Sequence, residues 1–373
     1  MNIKYKNIKN KGKTHSSNVY INKINYKFKK KPNLKYKLDI TNCNTYYGWN
    51  DIFEVFISYN DNKKYLISPN SNNYNLDIFT LFDNKKIKSL EGHKKNIRTI
   101  RYFINNKNKK YNEYLISADE CCIVIIWDIT NNYNIKYKID NNDVTYIFSC
   151  LLIFPHNINN NYIIFSILDE SNYNHYMHDL YDYHNEKSTT KIHSLNNGKF
   201  IKEINQGNNT IFYLLSWYNK KDNIYYIIQF SDKKIIINSL LENDSYFVLK
   251  QEPESRHYSG FIYKKDDKDY LCSSSYNGYI HIWDLYNKNI FKIINIKECF
   301  LLHIIQWNDK YIIVADADNK SFKIIDVELK RVISDISGEH TDKVKCIKKI
   351  YHPIYGESLL SASGDCTIKL WVI

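Results

Sequence analysis

The side chains best equipped for chemistry in this chain crowd into one short stretch, NYNHYMHDLYDYH, which holds His175, His178, Asp179 and His184. A His-x-x-His pair beside a carboxylate carries the ligand types that bind zinc. No second clear ligand pair accompanies it, so the stretch reads as a solvated loop in a long insertion, about residues 168–190. A second candidate, Asp316-Ala317-Asp318, sits in a short polar break between apolar runs, where Asp is ordinary turn chemistry. Phosphate-cradling glycine loops, a G-x-S-x-G nucleophile elbow and an H-E-x-x-H pair are all missing from the sequence. The reading is therefore of a protein that is not an enzyme and needs no metal and no cofactor.

The elements that would position such residues are strands. Aromatics make up 15% of the chain, with 34 Tyr, and these side chains favour pleated, half-buried surfaces. With five Pro and ten Gly, most turns must be made by Asn, Asp, Ser and Lys. Eight Cys are scattered without a C-x-x-C, the usage of a reduced, cytoplasmic or nuclear protein. The longest apolar run, Cys122 to Trp127, is far too short for a transmembrane helix.

The net charge of +12 is concentrated at one end. Residues 1–37 contain twelve Lys and no acidic side chain, and the remaining 40 basic and 40 acidic residues balance. Residues 1–34 are thus expected to form a disordered basic arm ahead of a folded region spanning 35–373. Lysines interleaved with Tyr, Phe and Ile suit nucleic-acid phosphates and bases, or an anionic membrane face. An overall bias toward Lys and Asn explains the same cluster without any ligand.

Self-similarity organises the rest. Tyr114–Thr130 (YLISADECCIVIIWDIT), Tyr270–Tyr286 (YLCSSSYNGYIHIWDLY) and Leu359–Ile373 (LLSASGDCTIKLWVI) share an apolar-Ser strand, a short turn and an apolar-x-apolar-Trp strand. Ser117 and Trp127, Ser273 and Trp283, and Ser361 and Trp371 are each ten residues apart, and His93, His257 and His340 lie upstream. This pattern resembles the WD40-repeat family, whose repeat of about 40–45 residues folds as a four-stranded blade. Fainter repeats align Phe79, His193, Asn238 and Ile325 with the Trp position, so the series runs 79, 127, 193, 238, 283, 325, 371. Seven blades are predicted: an all-β, seven-bladed β-propeller.

The resemblance implies a hydrogen-bonded tetrad of His, Ser, Asp and Trp in each complete blade. Blade seven carries it in full as His340, Ser361, Asp365 and Trp371. Blade two has His93, Ser117 and Trp127 with Cys121 in the Asp slot, and blade five has His257, Ser273 and Trp283 with Asn277 there. The other blades are expected to rely on apolar packing. The resemblance also implies a non-catalytic scaffold for protein–protein contacts and complex assembly, monomeric within a hetero-complex. Partners would dock on the top face at Asn96, Arg98 and Glu120 in blade two, Gly260, Ile262 and Tyr276 in blade five, and Lys343, Lys345 and Gly364 in blade seven. The alternative is an RNA- or ribosome-associated factor that uses the basic arm. Because the chain ends three strands into blade seven, the segment Lys35–Ile40 is expected to pair with Thr367–Val372 as its fourth strand.

Overall fold

The structure, a computed structural model, describes residues 33–38, 51–58, 61–70, 72–83, 85–106, 111–141, 146–156, 159–168, 188–242, 246–250 and 255–372. The chain divides into two units, Met1–Lys30 and Lys31–Ile373. The whole of the first lies outside the described residues, and so do His175, His178, Asp179 and His184 of the blade-three insertion.

Many of the apolar segments pair with the next through a tight turn, whose positive-φ positions are often filled by Asn, Asp and Lys. Asn62, Asn223, Asp267, Lys288 and Lys330 all take positive φ there. Asn and Asp tolerate that region best among the non-glycine residues. The outcome is seven four-stranded sheets, with no helix among the described residues. The first strands of neighbouring blades lie side by side all the way round, that of blade seven against that of blade one, so the ring closes. In the described strands the top is the end at which each first strand begins, and the bottom carries the turn to the second strand.

Register follows the sequence repeat even where the side chain has drifted. Phe79, Trp127, His193, Asn238, Trp283, Ile325 and Trp371 all occupy third strands. They face Leu66, Leu115, Ile163, Ile227, Leu271, Ile312 and Leu359 in the second strands. The cores lie between blades. Ile67 and Ile78 of blade one pack with Leu115 and Ile125 of blade two, and Phe230 and Ile237 of blade four with Leu271 and Trp283 of blade five. Each blade buries both faces against its neighbours, so strands read as nearly unbroken apolar runs.

The sheet of blade seven contains the second, third and first strands Gly356–Ser363, Ile368–Val372 and Val344–His352, with Asn33–Leu38 outermost. Asn33 faces Val372 and Leu38 faces Ile368, antiparallel, with a bulge between Leu34 and Tyr36. This strand starts two residues before the segment expected from sequence, since its pairing runs down to Val372 and the bulge takes up one residue. Removing residues 1–41 is expected to lower the melting temperature sharply, by exposing the edge of the Ile368–Val372 strand. Removing residues 1–30 should leave it unchanged. Equal melting of the two truncations would show that this strand does not hold the ring.

Candidate functional site at the mouth of the propeller

In blade seven the Trp371 indole donates to Ser361 Oγ at 2.8 Å, Ser361 meets His340 Nε2 at 2.8 Å, and His340 Nδ1 meets Asp365 Oδ2 at 2.9 Å. Blade two builds the same relay from Trp127, Ser117 and His93 at 2.9 and 2.7 Å. Its carboxylate, however, is Asp119, 3.0 Å from His93 Nδ1. Cys121 is therefore not a gap in the tetrad: a carboxylate two residues earlier, at the end of the second strand, does the same work. Burial pushes both His93 and His340 below the ordinary histidine value, against the pull of their carboxylates, so both rings are neutral relays. The order Asp–His–Ser matches a hydrolytic relay. Yet Ser117 and Ser361 are wholly buried, and each hydroxyl is occupied by an indole and an imidazole. These trios hold blades together.

Blade five differs from expectation. Trp283 donates to Ser273 at 3.0 Å, but neither ring nitrogen of His257 has a hydrogen-bond partner, and Asn277 accepts from Ser275 instead. The cause is register. His257 is the first residue of its strand, the position of Ile97 and Val344, four residues beyond where His93 and His340 sit. It packs against the rings of His281 and Trp283, at 5.9 and 6.5 Å.

The drifted blades do not depend on apolar packing alone, as the sequence reading had it. In blade four Gln229 and Asn238 replace the Ser–Trp pair, 2.6 Å apart, and Gln206 and Thr190 also bond Gln229, at 2.9 and 2.6 Å. In blade six buried Lys323 pairs with Asp316 at 3.2 Å and with Asp335. Asp316, seen from sequence as turn chemistry, is thus a fully buried anchor.

A charged hub crosses the ring interior. Asp51, at φ 48° just before the first strand of blade one, accepts from Arg101 Nε of blade two at 2.6 Å and Lys348 Nζ of blade seven at 2.9 Å. Arg101 also donates to the Leu214 carbonyl of blade four at 2.7 Å and lies 4.4 Å over the Tyr213 ring. Burial alone would raise the Asp51 carboxyl; the Arg101 and Lys348 charges overcome it and hold it well below the usual range. Potential ligand atoms of Asp51, His303 and Cys346 lie within 4.8 Å of one another. A cation there would compete with Arg101 and Lys348, and burial pushes the Cys346 thiol up to about 12. This donor set fits an ion-pair hub better than a metal.

Above the hub lies the mouth. In blades two to seven the first strand slips register near its start, leaving one residue out of the ladder: Arg98, Phe148, Phe212, Tyr258, Leu302 and Lys345. On four consecutive blades these are apolar and form one buried cluster with Leu168, Phe300 and Ala317. Its rings run in series, Phe148–Phe212 at 5.6 Å, Phe212–Tyr258 at 4.9 Å and Tyr258–Phe300 at 5.2 Å. On the two blades flanking blade one they are basic. Arg98 pairs with Glu120 at 2.8 Å and Asn96 bonds Glu120 at 2.9 Å. Burial, with a smaller contribution from the Arg98 charge, pushes the Lys345 ammonium down to about 8.

Of the residues expected on this face, Asn96, Arg98, Glu120, Lys343 and Lys345 gather at its basic side. Those of blade five do not. Gly260 is buried, and a Cβ there would meet Phe230 and the Cys272 carbonyl at 2.6 Å. Ile262 packs on the blade-four core, and Gly364 is buried beside Asp342. Tyr276 rests on the aromatic cluster, 4.7 Å from Phe300. The blade-five position equivalent to Arg98 is Tyr258, which was missed because His257 is four residues out of register.

These seven four-stranded sheets in a ring, with indole–serine–imidazole relays in blades two and seven, define a seven-bladed β-propeller. The family model of the WD domain, G-beta repeat, matches residues 84–128 and 331–372, which lie in blades one to two and six to seven. The chain is a seven-bladed β-propeller whose two matched segments are WD40 repeats. No curated protein matches it.

Proposed function

We propose that this propeller is a non-catalytic scaffold that binds an acidic segment of a partner protein on the basic side of its mouth. WD40 propellers typically serve as protein-interaction scaffolds. The observation that carries the reading is the division of the mouth. Side chains from the first-strand starts of blades three to six are buried in one apolar cluster, while Arg98 and Lys345 stand together beside the accessible Lys94, Lys95 and Lys343. This leaves the rim for contact, and its net basic charge, only partly offset by Glu120, Asp140 and Asp342, selects partners by charge and speeds encounter.

The test is affinity capture from native lysate with the intact chain and with a Lys95→Glu/Lys343→Glu variant, identifying co-purifying proteins. A partner recovered in near-equal amount with the bait should be lost with the variant. Equal recovery by both baits would sink the docking site. Recovery that vanishes on nuclease treatment would favour the second reading, nucleic-acid contact through the twelve Lys of residues 1–37.

A further inference from the structure

Blade five holds a pair of histidines just beneath its top turn. His257 opens the first strand and faces Ser275, and His281 lies in the third strand and faces Ser273. Ser273 and Ser275 are alternate residues of the second strand, so both imidazoles lie on one face of the sheet. Their ring centroids are 5.9 Å apart. His257 is fully buried and His281 is 3% exposed. Neither ring nitrogen of His257 has a hydrogen-bond partner, and Nδ1 of His281 has none. Three orphaned nitrogens on two neighbouring rings are costly in a folded core and call for a water, an ion or a use. Packing does not require the rings. At the place of His257 blades two and seven carry Ile97 and Val344, and at that of His281 they carry Ile125 and Lys369. Both exchanges fall in the blade that keeps the Trp283–Ser273 bond but has no histidine–carboxylate relay.

The electrostatics of the pair select what it can hold. Burial pushes His257 down to about 3 and His281 down to about 4, and the nearness of His281 adds to the shift at His257. No carboxylate acts on either ring to draw a proton onto it. Both are therefore neutral at ordinary pH, the state in which imidazole binds metals. Their separation fits a shared ion, since metal–nitrogen bonds of about 2.0 Å set two ring centroids about 6 Å apart when the ion lies nearly between them. Such an ion would have two nitrogen ligands and no anionic one. The cost of burying an ion grows as the square of its charge, so a divalent ion would cost about four times as much as a monovalent one. Zinc in a closed site also takes four ligands. Copper(I), a soft monovalent ion that imidazole suits and that accepts two nearly opposed ligands, meets both conditions.

We propose that His257 and His281 bind one copper(I) ion between them, tying the first strand of blade five to its third in place of the missing relay. The site does not depend on the partner proposed above. The test uses the full chain carrying Cys43→Ser/Cys121→Ser/Cys366→Ser as the parent. Cys121 and Cys366 are exposed thiols that would take copper(I) themselves, and Cys43 lies outside the described residues. Anaerobic titration against the copper(I) chelator bicinchoninate should show one ion held per chain, with a higher melting temperature. X-ray absorption of the loaded chain should show two nitrogen ligands and no sulfur. Zinc(II) at the same concentration should not raise the melting temperature. His257→Val/His281→Ile should lose the ion and the rise in melting temperature. Its metal-free form should melt no lower than the parent, because the exchange removes orphaned nitrogens. His281→Gln, which keeps a polar side chain of similar size, should weaken copper(I) binding about tenfold or more. Failure of the parent to take up copper(I), equal uptake by the double variant or by His281→Gln, or sulfur in the absorption spectrum would overturn the proposal. Equal stabilisation by zinc(II) would overturn the choice of a monovalent ion.

Discussion

Replacing Asp51 by alanine should cost about 3–5 kcal/mol, because it strands buried Arg101 and takes the nearer carboxylate from half-buried Lys348. Arg101 is 8% exposed and its guanidinium is shared among Asp51, the Leu214 carbonyl and the Tyr213 face. Lys348 keeps only the more distant Glu54, at 3.4 Å, once Asp51 is gone. The loss comes less from the missing attraction than from charges left without an answer in a low-dielectric site. Asp51→Ala/Lys348→Met, which removes one of the stranded charges, should recover part of it. Urea unfolding of the three proteins measures this. A single-variant loss below about 1 kcal/mol would mean water reaches the hub and the ion pairs are worth no more than surface ones.

Acid should unfold the protein from just below neutral pH, before its carboxylates titrate. Burial depresses His93, His193, His303, His340 and His352, and pushes His281 down to about 4 and His257 to about 3. The sign follows from proton counts. In the unfolded chain these imidazoles take up protons near 6.5, while in the folded chain they stay neutral, so between 6.5 and the folded values the unfolded state binds more protons. Stability is complete above about 6.5 and falls as pH drops, by about 1.4 kcal/mol per unit for each group still neutral in the fold. Asp51, Asp119 and Asp365, all depressed, add a second loss in the same direction below about 4. Melting temperature between pH 7.5 and 4 reads the slope. Its largest contributors should be His257, neither of whose ring nitrogens has a hydrogen-bond partner, and His281, whose Nδ1 has none. Exchanging them for the residues sister blades carry there, Val344 and Ile125, gives His257→Val/His281→Ile. That variant should flatten the slope, and an unchanged slope would clear blade five of the effect.

Fold and blade count were legible because the Trp-position register survives change of side chain. Phe79, His193, Asn238 and Ile325 lie where Trp127, Trp283 and Trp371 lie, since the ladder fixes the place while neighbours decide only the filling. The blade-two and blade-seven relays were legible for the same reason, apart from Asp119. What stayed hidden depends on contacts that no spacing records. Gln206, Gln229 and Asn238 form a relay only because strands from different repeats bring three amides together. Asp51 gives no local sign of a partner fifty residues away and another nearly three hundred away. The bulge residues were misplaced in blade five because turns before and after the first strand vary in length, so counting from either motif drifts.

The pairing of Asn33 with Val372 puts the two ends of the described chain next to each other at one edge of one sheet. A pull applied between them loads that antiparallel pair bond by bond, as a zipper, whereas the other six sheets feel no direct tension. Blade seven would therefore act as a mechanical fuse, opening at low force while the rest of the ring stays folded. Only a load that holds both ends draws on that fuse.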